Sequence, residues 1–596
     1  MSFKNPADSP LKAWVRALEL TAPIARNPHV TLPARLDELA AAYGAAPALA
    51  GERGSLTYAE LANLANRYSR WALDQRLRRG DVVGLVMQNC PEYFAIWLGI
   101  TRTGAIVSLI NTNLLGDSLL HAIRVAMPVH VIAGPDLAAS VAKACALLEP
   151  KPPLWVYGRD LPGAERIDRV IVQLSGAPVS PNESPLPSIA DRALYIYTSG
   201  TTGLPKAANV SHHRVMQWSY WFAGLLDTRA SDRMYNCLPM YHSVGGIVAI
   251  GAVLVRGGSV VIREHFSARA FWDDVVDREC TLFQYIGELC RFLLNSAPHP
   301  RERDHRLRIC CGNGLRPDVW ESFQERFRIP KILEFYAATE ANFSLYNCEG
   351  KPGAIGKIPP FLAHRFPIAL VRFDVDAGEP VRDGGGLCVR CAPDEIGEAI
   401  SKISSDDKPS EARFDGYTDR AASERKILRD VFEWGDAWFR SGDLMRRDAA
   451  GFFHFVDRVG DTFRWKGENV STSEVAEALS DCPGVSGAVV YGVSVTGTEG
   501  RAGMAALVAD EQFSIATLHE HLSTRLPDYA RPVFVRLLDA IETTGTFKPK
   551  KQDFIRAGYD PTAVSDAIYW YDRTVGAFRH LDAAAYSRIC SGETRL

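Results

Sequence analysis

Short apolar runs rich in β-branched residues recur early in the chain: DVVGLVMQN at 81–89, AIVSLIN at 105–111 and HVIAG at 130–134. Turn residues bound each run, and helical patterns separate them, CPEYFAIWLGITRTG at 90–104 and LGDSLLHAIRVA at 115–126. Strands alternating with helices predict βαβ units around a parallel sheet. The alternation resumes with a helix over 212–226, strands at 233–239 and 259–264, a helix over 266–280 and a strand at 281–287. That pattern predicts a second doubly wound unit.

Toward the N-terminus, WVRALELTAPIAR at 14–26 reads as a short amphipathic helix, and 34–50 as a helix running into a loop. Between about 365 and 400 the character changes: FPIALVRFDV, GLCVRC and GEAISKI are short strands parted by turns, a small β-rich subdomain. GFFHFVDRVGDTFRWKGENV at 451–470 reads as paired strands. A helix at 473–480, the strands GAVVYGVSV and MAALVAD, a helix at 515–526 and PVFVRLL then make a compact α+β unit.

The chain has 596 residues, 47% hydrophobic and 23% charged, which allows a large core in a globular protein. A net charge of −3 gives no reason to expect nucleic acid as a partner. The longest apolar stretch, YFAIWLGITRTGAIVSLI at 93–110, is cut by Arg102, Thr103 and Gly104. It falls short of the ~18 uninterrupted apolar residues of a membrane span and reads as a buried helix, a turn and a strand. Twelve scattered cysteines without a secretory start imply free thiols in a reducing compartment. The expected location is cytoplasmic, with peripheral association at the inner membrane face left open. The lone pair Cys388 and Cys391 has no second pair at zinc spacing and reads as strand residues.

The most specific pattern is YIYTSGTTGLPK at 195–206. Read as a loop between a strand and a helix, it turns backbone N–H groups and the hydroxyls of Thr198, Ser199, Thr201 and Thr202 toward an anion. Gly200 and Gly203 permit close approach and Lys206 adds a compact charge. It is not the GxxxxGK[ST] loop, because Ala207 follows the lysine. Other candidates are weaker alone. Glu340 after Thr339 in EFYAATEANF is more often a solvated turn residue, yet beside a phosphate site it is a Mg2+ ligand. Asp443 in a Gly turn and Arg458 fifteen residues later suit a ribose diol or are two surface charges. Lys548 in TTGTFKPKK reads alone as a basic loop. His242 in LPMYHSVGG is a packed histidine or a pocket wall.

Together and in this order, YTSGTTGLPK, YAATE, SGD and DRVGD resemble the adenylate-forming superfamily of acyl-CoA synthetases, luciferases and adenylation domains. CGNGLRPDVWESFQERF, GKPGAIG, DRVGDTFRWKGENVSTSEV and TGTFKPKK resemble its very-long-chain acyl-CoA synthetase / fatty acid transport protein branch. The resemblance implies an α/β fold: a large N-terminal domain of two doubly wound α/β subdomains plus a small β-rich subdomain over 1–456, a hinge at 457–461, and a mobile α+β C-terminal domain over 462–596. It implies that ATP, Mg2+ and CoA are used to activate a long- or very-long-chain fatty acid through an acyl-adenylate. A CoA ligase for a bile or steroid acid and a fatty-acid uptake or binding protein are the alternatives. A homodimer is left open.

By resemblance, Glu340 binds Mg2+ with Thr201 or Thr202 nearby, and the loop from Thr198 to Lys206 holds the β- and γ-phosphates. Gly312, Asn313, Gly314 and Tyr336 to Ala338 line the adenine and acyl pockets. Asp443 and Arg458 hold the ribose, Lys548 bridges the carboxylate and α-phosphate, His242 stands at the acyl–CoA junction, and Gly467 beside Lys466 passes the pantetheine arm. Three departures stand out. Ala337 and Ala341 replace the branch's usual glycines, Gly246 stands where some relatives carry a tryptophan gate, and Gly460 occupies the hinge.

Overall fold

The computed structural model describes residues 9–199, 205–375, 377–404, 413–465, 468–496, 498, 500–543, 550–594 and 596, with Ser199 seen by its backbone. Contacts divide the chain into two units, residues 1–366 with 402–427, and residues 367–401 with 428–596.

The first unit is built on two sheets. One runs in the order Glu165–Arg166, Leu154–Val156, His130–Ala133, Val82–Val86, Ile106–Leu109, Arg192–Ser199, Pro205–Ser211. All its pairings are parallel except the last. Every residue of Val82–Val86 and Ile106–Leu109 is buried, as expected of parallel strands covered on both faces. The stretch 93–110 is the helix Pro91–Arg102, a turn through Gly104 at φ +84°, and a strand. The other sheet runs Ser344–Asn347, Ile332–Ala337, Ile309–Asn313, Leu282–Ile286, Arg233–Asn236, Ser259–Ile262, Pro47–Ala50, Ser55–Thr57. Its inner six strands are parallel and its two edge strands antiparallel. Two doubly wound sheets are therefore present, as the alternation predicts.

Three local expectations fail. The 34–50 helix is Leu32–Tyr43, and PALA is a strand, Pro47–Ala50, too short to carry a period of its own. GLCVRC, with Cys388 and Cys391, forms isolated bridges rather than a strand, although its thiols are free. The phosphate-type loop joins two antiparallel strands, and the helix His212–Leu226 starts only after the second.

The N-terminal helix starts at Pro10, capped by Ser9, and ends at Thr21 before the 3-10 turn Ile24–Arg26. Its apolar face covers the helix His212–Leu226, with Trp14 edge-on to Trp221 at 5.8 Å. Leu11 and Val15 stay exposed. Among the described residues no helix is long and apolar enough to cross a membrane.

The second unit holds an antiparallel sheet that includes Ile368–Asp374, Gly397–Lys402, Ala437–Arg447 and Phe452–Arg458. It also holds the five strands Val485–Val493, Ala502–Ala509, Phe534–Leu538, Ile568–Asp572 and Ala577–His580, with the helices Thr472–Ser480 and Ile515–Ser523. The last two strands extend the α+β unit beyond the elements read from periodicity.

Candidate active site

The strand Arg192–Ser199 is antiparallel to Pro205–Ser211, and its register sets Thr198 opposite Lys206. The two flanks of the 200–204 segment are thus fixed as neighbours. Gly200, Thr201, Thr202 and Gly203 lie outside the described residues, as do Lys466, Gly467 and Lys548.

Glu340 is only 8% exposed. Its carboxylate accepts a hydrogen bond from the Tyr417 phenol, Oη to Oε1 2.8 Å. The Thr198 side chain bonds the same phenol, and the Lys206 ammonium stands 6.0 Å from the Tyr417 ring centroid. Burial first, then the Glu340 charge, pushes the Tyr417 phenol well above its ordinary range. The phenol therefore stays protonated and can only serve as a donor to Glu340. Burial, followed by the charges of Arg425 and Lys426, lowers Lys206, while Asp419 and Glu340 act the other way. Cations gathered beside one another at a loop flank repel unless an anion lies between them.

Arg214 holds the same segment from behind. Its Nη1 donates to the Thr339 carbonyl at 3.0 Å and its Nη2 to the Ala341 carbonyl, bracketing Glu340. The guanidinium is buried, and that burial lowers its pKa, partly opposed by Asp415 and Glu340. The Thr339 hydroxyl meets Ser243 Oγ at 3.1 Å, which brings the His242 segment to the site. The His242 ring lies 4.6 Å from that of Tyr241. A Cβ on Gly246 would stand 2.0 Å from the Met240 carbonyl, so no tryptophan gate fits at that position.

Asn313 ends the strand Ile309–Asn313, and Gly314 turns the chain at φ +78°. Among the described residues the Asn313 Oδ1 is buried without a hydrogen-bond partner. The Tyr336 ring lies 5.7 Å from that of Phe343; Ala337 is exposed and Ala338 half-buried. Behind the Ala341–Ser344 segment a cavity of mixed character is lined by Ser211, His213, Arg214, Gln217, Asn342, Arg413 and Asp415 as well as by Trp218, Trp221, Phe343, Tyr346 and Phe366.

In the second unit Asp443 and Arg458 are cross-strand neighbours, with Arg458 Nε 3.7 Å from Asp443 Oδ1. Gly442 turns at φ +76°, and Asp443 N donates to Ser441 Oγ at 3.0 Å. Gly460 sits at φ +92° with open space around a would-be Cβ. Lys551, just beyond Lys548, donates to Asp461 Oδ2 at 3.1 Å and Thr472 Oγ1 at 2.9 Å. Thr472 N in turn donates to buried Asp457 at 2.7 Å. Lys551 is therefore tied to the expected hinge segment through Asp461.

Thr198, Lys206, Thr339 and Glu340 converge in the first unit, and Asp443 with Arg458 in the second. Sequence reasoning missed Tyr417, Arg214, Arg425 and Lys426. Tyr417 follows Gly416 in an unremarked DGYTD turn, and Arg214 sits in SHHRVMQ immediately after the second strand. Neither pattern signals its partner.

The chain matches the AMP-binding enzyme family over residues 36–392 and the AMP-binding enzyme C-terminal domain over residues 474–548. It is 41% identical over 548 residues to long-chain fatty acid transport protein 1 of Mus musculus, covering 91% of this chain and 84% of the relative. It is 39% identical over 547 residues to long-chain fatty acid transport protein 6 of Mus musculus, covering 91% and 87%. The fold is shared with ATP-bound MatB from Rhodopseudomonas palustris, TM-score 0.73 and 22% identity, over 91% of this chain and 98% of that one. It is shared too with the Mycobacterium tuberculosis fatty acyl CoA synthetase, TM-score 0.62 and 23% identity, over 88% and 98%.

Proposed function

The chain belongs to the AMP-binding enzyme family, and from that membership we propose that it is an AMP-forming ligase joining a long- or very-long-chain fatty acid to coenzyme A. The acid's carboxylate attacks the α-phosphorus of ATP, pyrophosphate leaves, and the thiol of CoA then displaces AMP from the acyl-adenylate. Two anions must meet in the first step, so the site needs cations and fixed donors where charge gathers. The observation that carries this reading is the cluster at the loop flanks: Lys206, with Arg425 and Lys426 in its field, stands beside the Thr198–Tyr417–Glu340 chain.

Each group has a part. Lys206 and the Thr198 segment receive the terminal phosphates. Tyr417 and Arg214 hold Glu340 by its side chain and its flanking carbonyls. Glu340, a buried carboxylate among hydroxyl oxygens, suits Mg2+, which prefers oxygen ligands and leaves positions for phosphate and water. When bound, the ion neutralises charge on the pyrophosphate that leaves. Asn313 offers its unpartnered oxygen to the base, and the Asp443–Arg458 pair receives the ribose. Lys548 stabilises the adenylation transition state, and rotation about 457–461 then exchanges it for the Gly467 face toward CoA.

The test is a thioesterification screen over acids of increasing length and over ring-bearing acids, with pyrophosphate release followed in each case. Turnover that peaks with long straight chains supports the reading. Turnover confined to bile or steroid acids replaces the substrate, and acid binding without pyrophosphate release removes the ligase activity.

A further inference from the structure

Glu334 is 1% exposed, on the strand Ile332–Ala337. It pairs in register with Gly312, which pairs on its other side with Tyr285. The phenol crosses over Gly312 and donates to Glu334 Oε2 at 2.5 Å. Gly312 is what makes this crossing fit: a Cβ there would lie 2.4 Å from the Tyr285 ring and 2.3 Å from its carbonyl. The other carboxylate oxygen, Oε1, accepts from the Leu315 backbone N–H at 3.0 Å, and the Gly314 N–H bonds the same carboxylate. One carboxylate therefore grips both sides of the turn Gly312–Leu315, and that turn has little slack. Gly287, which opens the helix Gly287–Asn295, packs against it, where a Cβ would meet the Gly314 carbonyl at 1.8 Å.

Burying a carboxylate without a cation is unfavourable. The groups that hold Glu334 are one phenol and two backbone N–H groups. A hydrophobic side chain would pack this layer more cheaply, but it would leave the Gly314 and Leu315 N–H groups without an acceptor. Burial pushes the carboxyl up to about 8, against the pull of the phenol and the N–H groups. The three bonds pull toward the ionised form, but burial outweighs them, so the native carboxyl keeps its proton up to about 8. The turn they hold carries Asn313, whose oxygen is buried and unpartnered.

We propose that Glu334 is a positioning residue of the nucleotide pocket: through Tyr285 and the backbone of Gly314 and Leu315 it sets the turn that presents Asn313 to the purine of ATP. The proposal rests on the reading that the Gly312–Gly314 turn lines that pocket. Glu334 touches no substrate. Its effect is on where the turn stands, and misplacement of a binding group by about 1 Å costs up to ~100-fold.

The experiment measures KM for ATP and KM for oleate separately, with melting temperature, in Glu334→Ala, Glu334→Gln, Tyr285→Phe and Asn313→Ala. Glu334→Ala raises KM for ATP roughly tenfold or more and leaves KM for oleate unchanged. Glu334→Gln restores most of it, because its amide oxygen still accepts from the Leu315 N–H. Tyr285→Phe, which deletes one hydroxyl and keeps the ring's packing, raises KM for ATP several-fold and serves if Glu334→Ala does not fold. Unchanged KM for ATP in Tyr285→Phe and Glu334→Ala, with a raised value in Asn313→Ala, overturns the positioning role and leaves the pocket assignment standing. Unchanged KM for ATP in all four overturns the pocket assignment and the inference with it.

Discussion

The Tyr417 hydroxyl donates to Glu340 Oε1 across 2.8 Å, joining residues 77 positions apart in the chain. The same hydroxyl is bonded by Thr198, at the mouth of the glycine-rich loop. Removing it leaves a buried carboxylate short of one donor, a loss of about 1–3 kcal/mol. Tyr417→Phe slows adenylation roughly tenfold with the fold retained, because Arg214 still holds the backbone of Thr339 and Ala341. Pyrophosphate release at saturating ATP reads the effect, and an unchanged rate shows that Glu340 needs no such hold.

Glu340→Gln keeps the shape and the Tyr417 contact but removes the charge. The half-saturating Mg2+ concentration for pyrophosphate release rises at least tenfold, while circular dichroism and melting temperature stay close to wild type. An unaltered Mg2+ titration places the ion on other ligands.

Glu334 gives the protein a pH-dependent stability with a definite sign. Burial raises its carboxyl from 4.5 to about 8, so between those values the native state binds a proton that the unfolded state has released. Stability then falls as pH rises through that window and levels off above about 8. Glu334→Gln has no such proton, so its unfolding free energy relative to wild type climbs between pH 5 and 8. Urea denaturation at intervals across that range measures it. A difference that stays flat means the Glu334 carboxyl titrates near its ordinary value.

Lys548→Ala separates the two half-reactions. Loss of a charge-stabilising donor lowers adenylation by roughly 10²–10³-fold, while supplied acyl-adenylate and CoA still give thioester. Single-turnover kinetics on each half decide it, and equal slowing of both halves removes the alternating-domain account. Gly460 at φ +92° is the pivot in that account. Proline, locked near φ −65°, cannot hold that backbone, so Gly460→Pro should slow the half-reaction that needs it and spare the other.

The sheets were legible because their strands are apolar runs of β-branched residues, buried on both faces and bounded by turns. PALA at 47–50 was not, since four residues carry no period and burial in the sheet decided them. The loop flanks Thr198 and Lys206 were legible from local composition, but their antiparallel pairing was not: the helix expected after the loop begins only at His212. The groups that organise the site were missed for one physical reason. Arg214 reaches carbonyls 125 and 127 positions away, and Glu334 reaches a phenol 49 positions back. Such contacts are made by the tertiary fold, and a buried Arg or Glu looks in sequence like a surface charge. Gly246 is the converse case: its departure from a tryptophan gate becomes explicable only once the Met240 carbonyl stands against it.

The central claim is that this site makes an acyl-adenylate. ATP–pyrophosphate exchange tests it most directly, with labelled pyrophosphate, Mg2+ and oleate in the absence of CoA. Label should enter ATP only when acid is present, at a rate lowered roughly 10²–10³-fold in Lys548→Ala and strongly reduced in Glu340→Gln, and AMP should be released with oleoyl-CoA once CoA is added. Exchange independent of acid, or formation of ADP and phosphate in place of AMP and pyrophosphate, would contradict it.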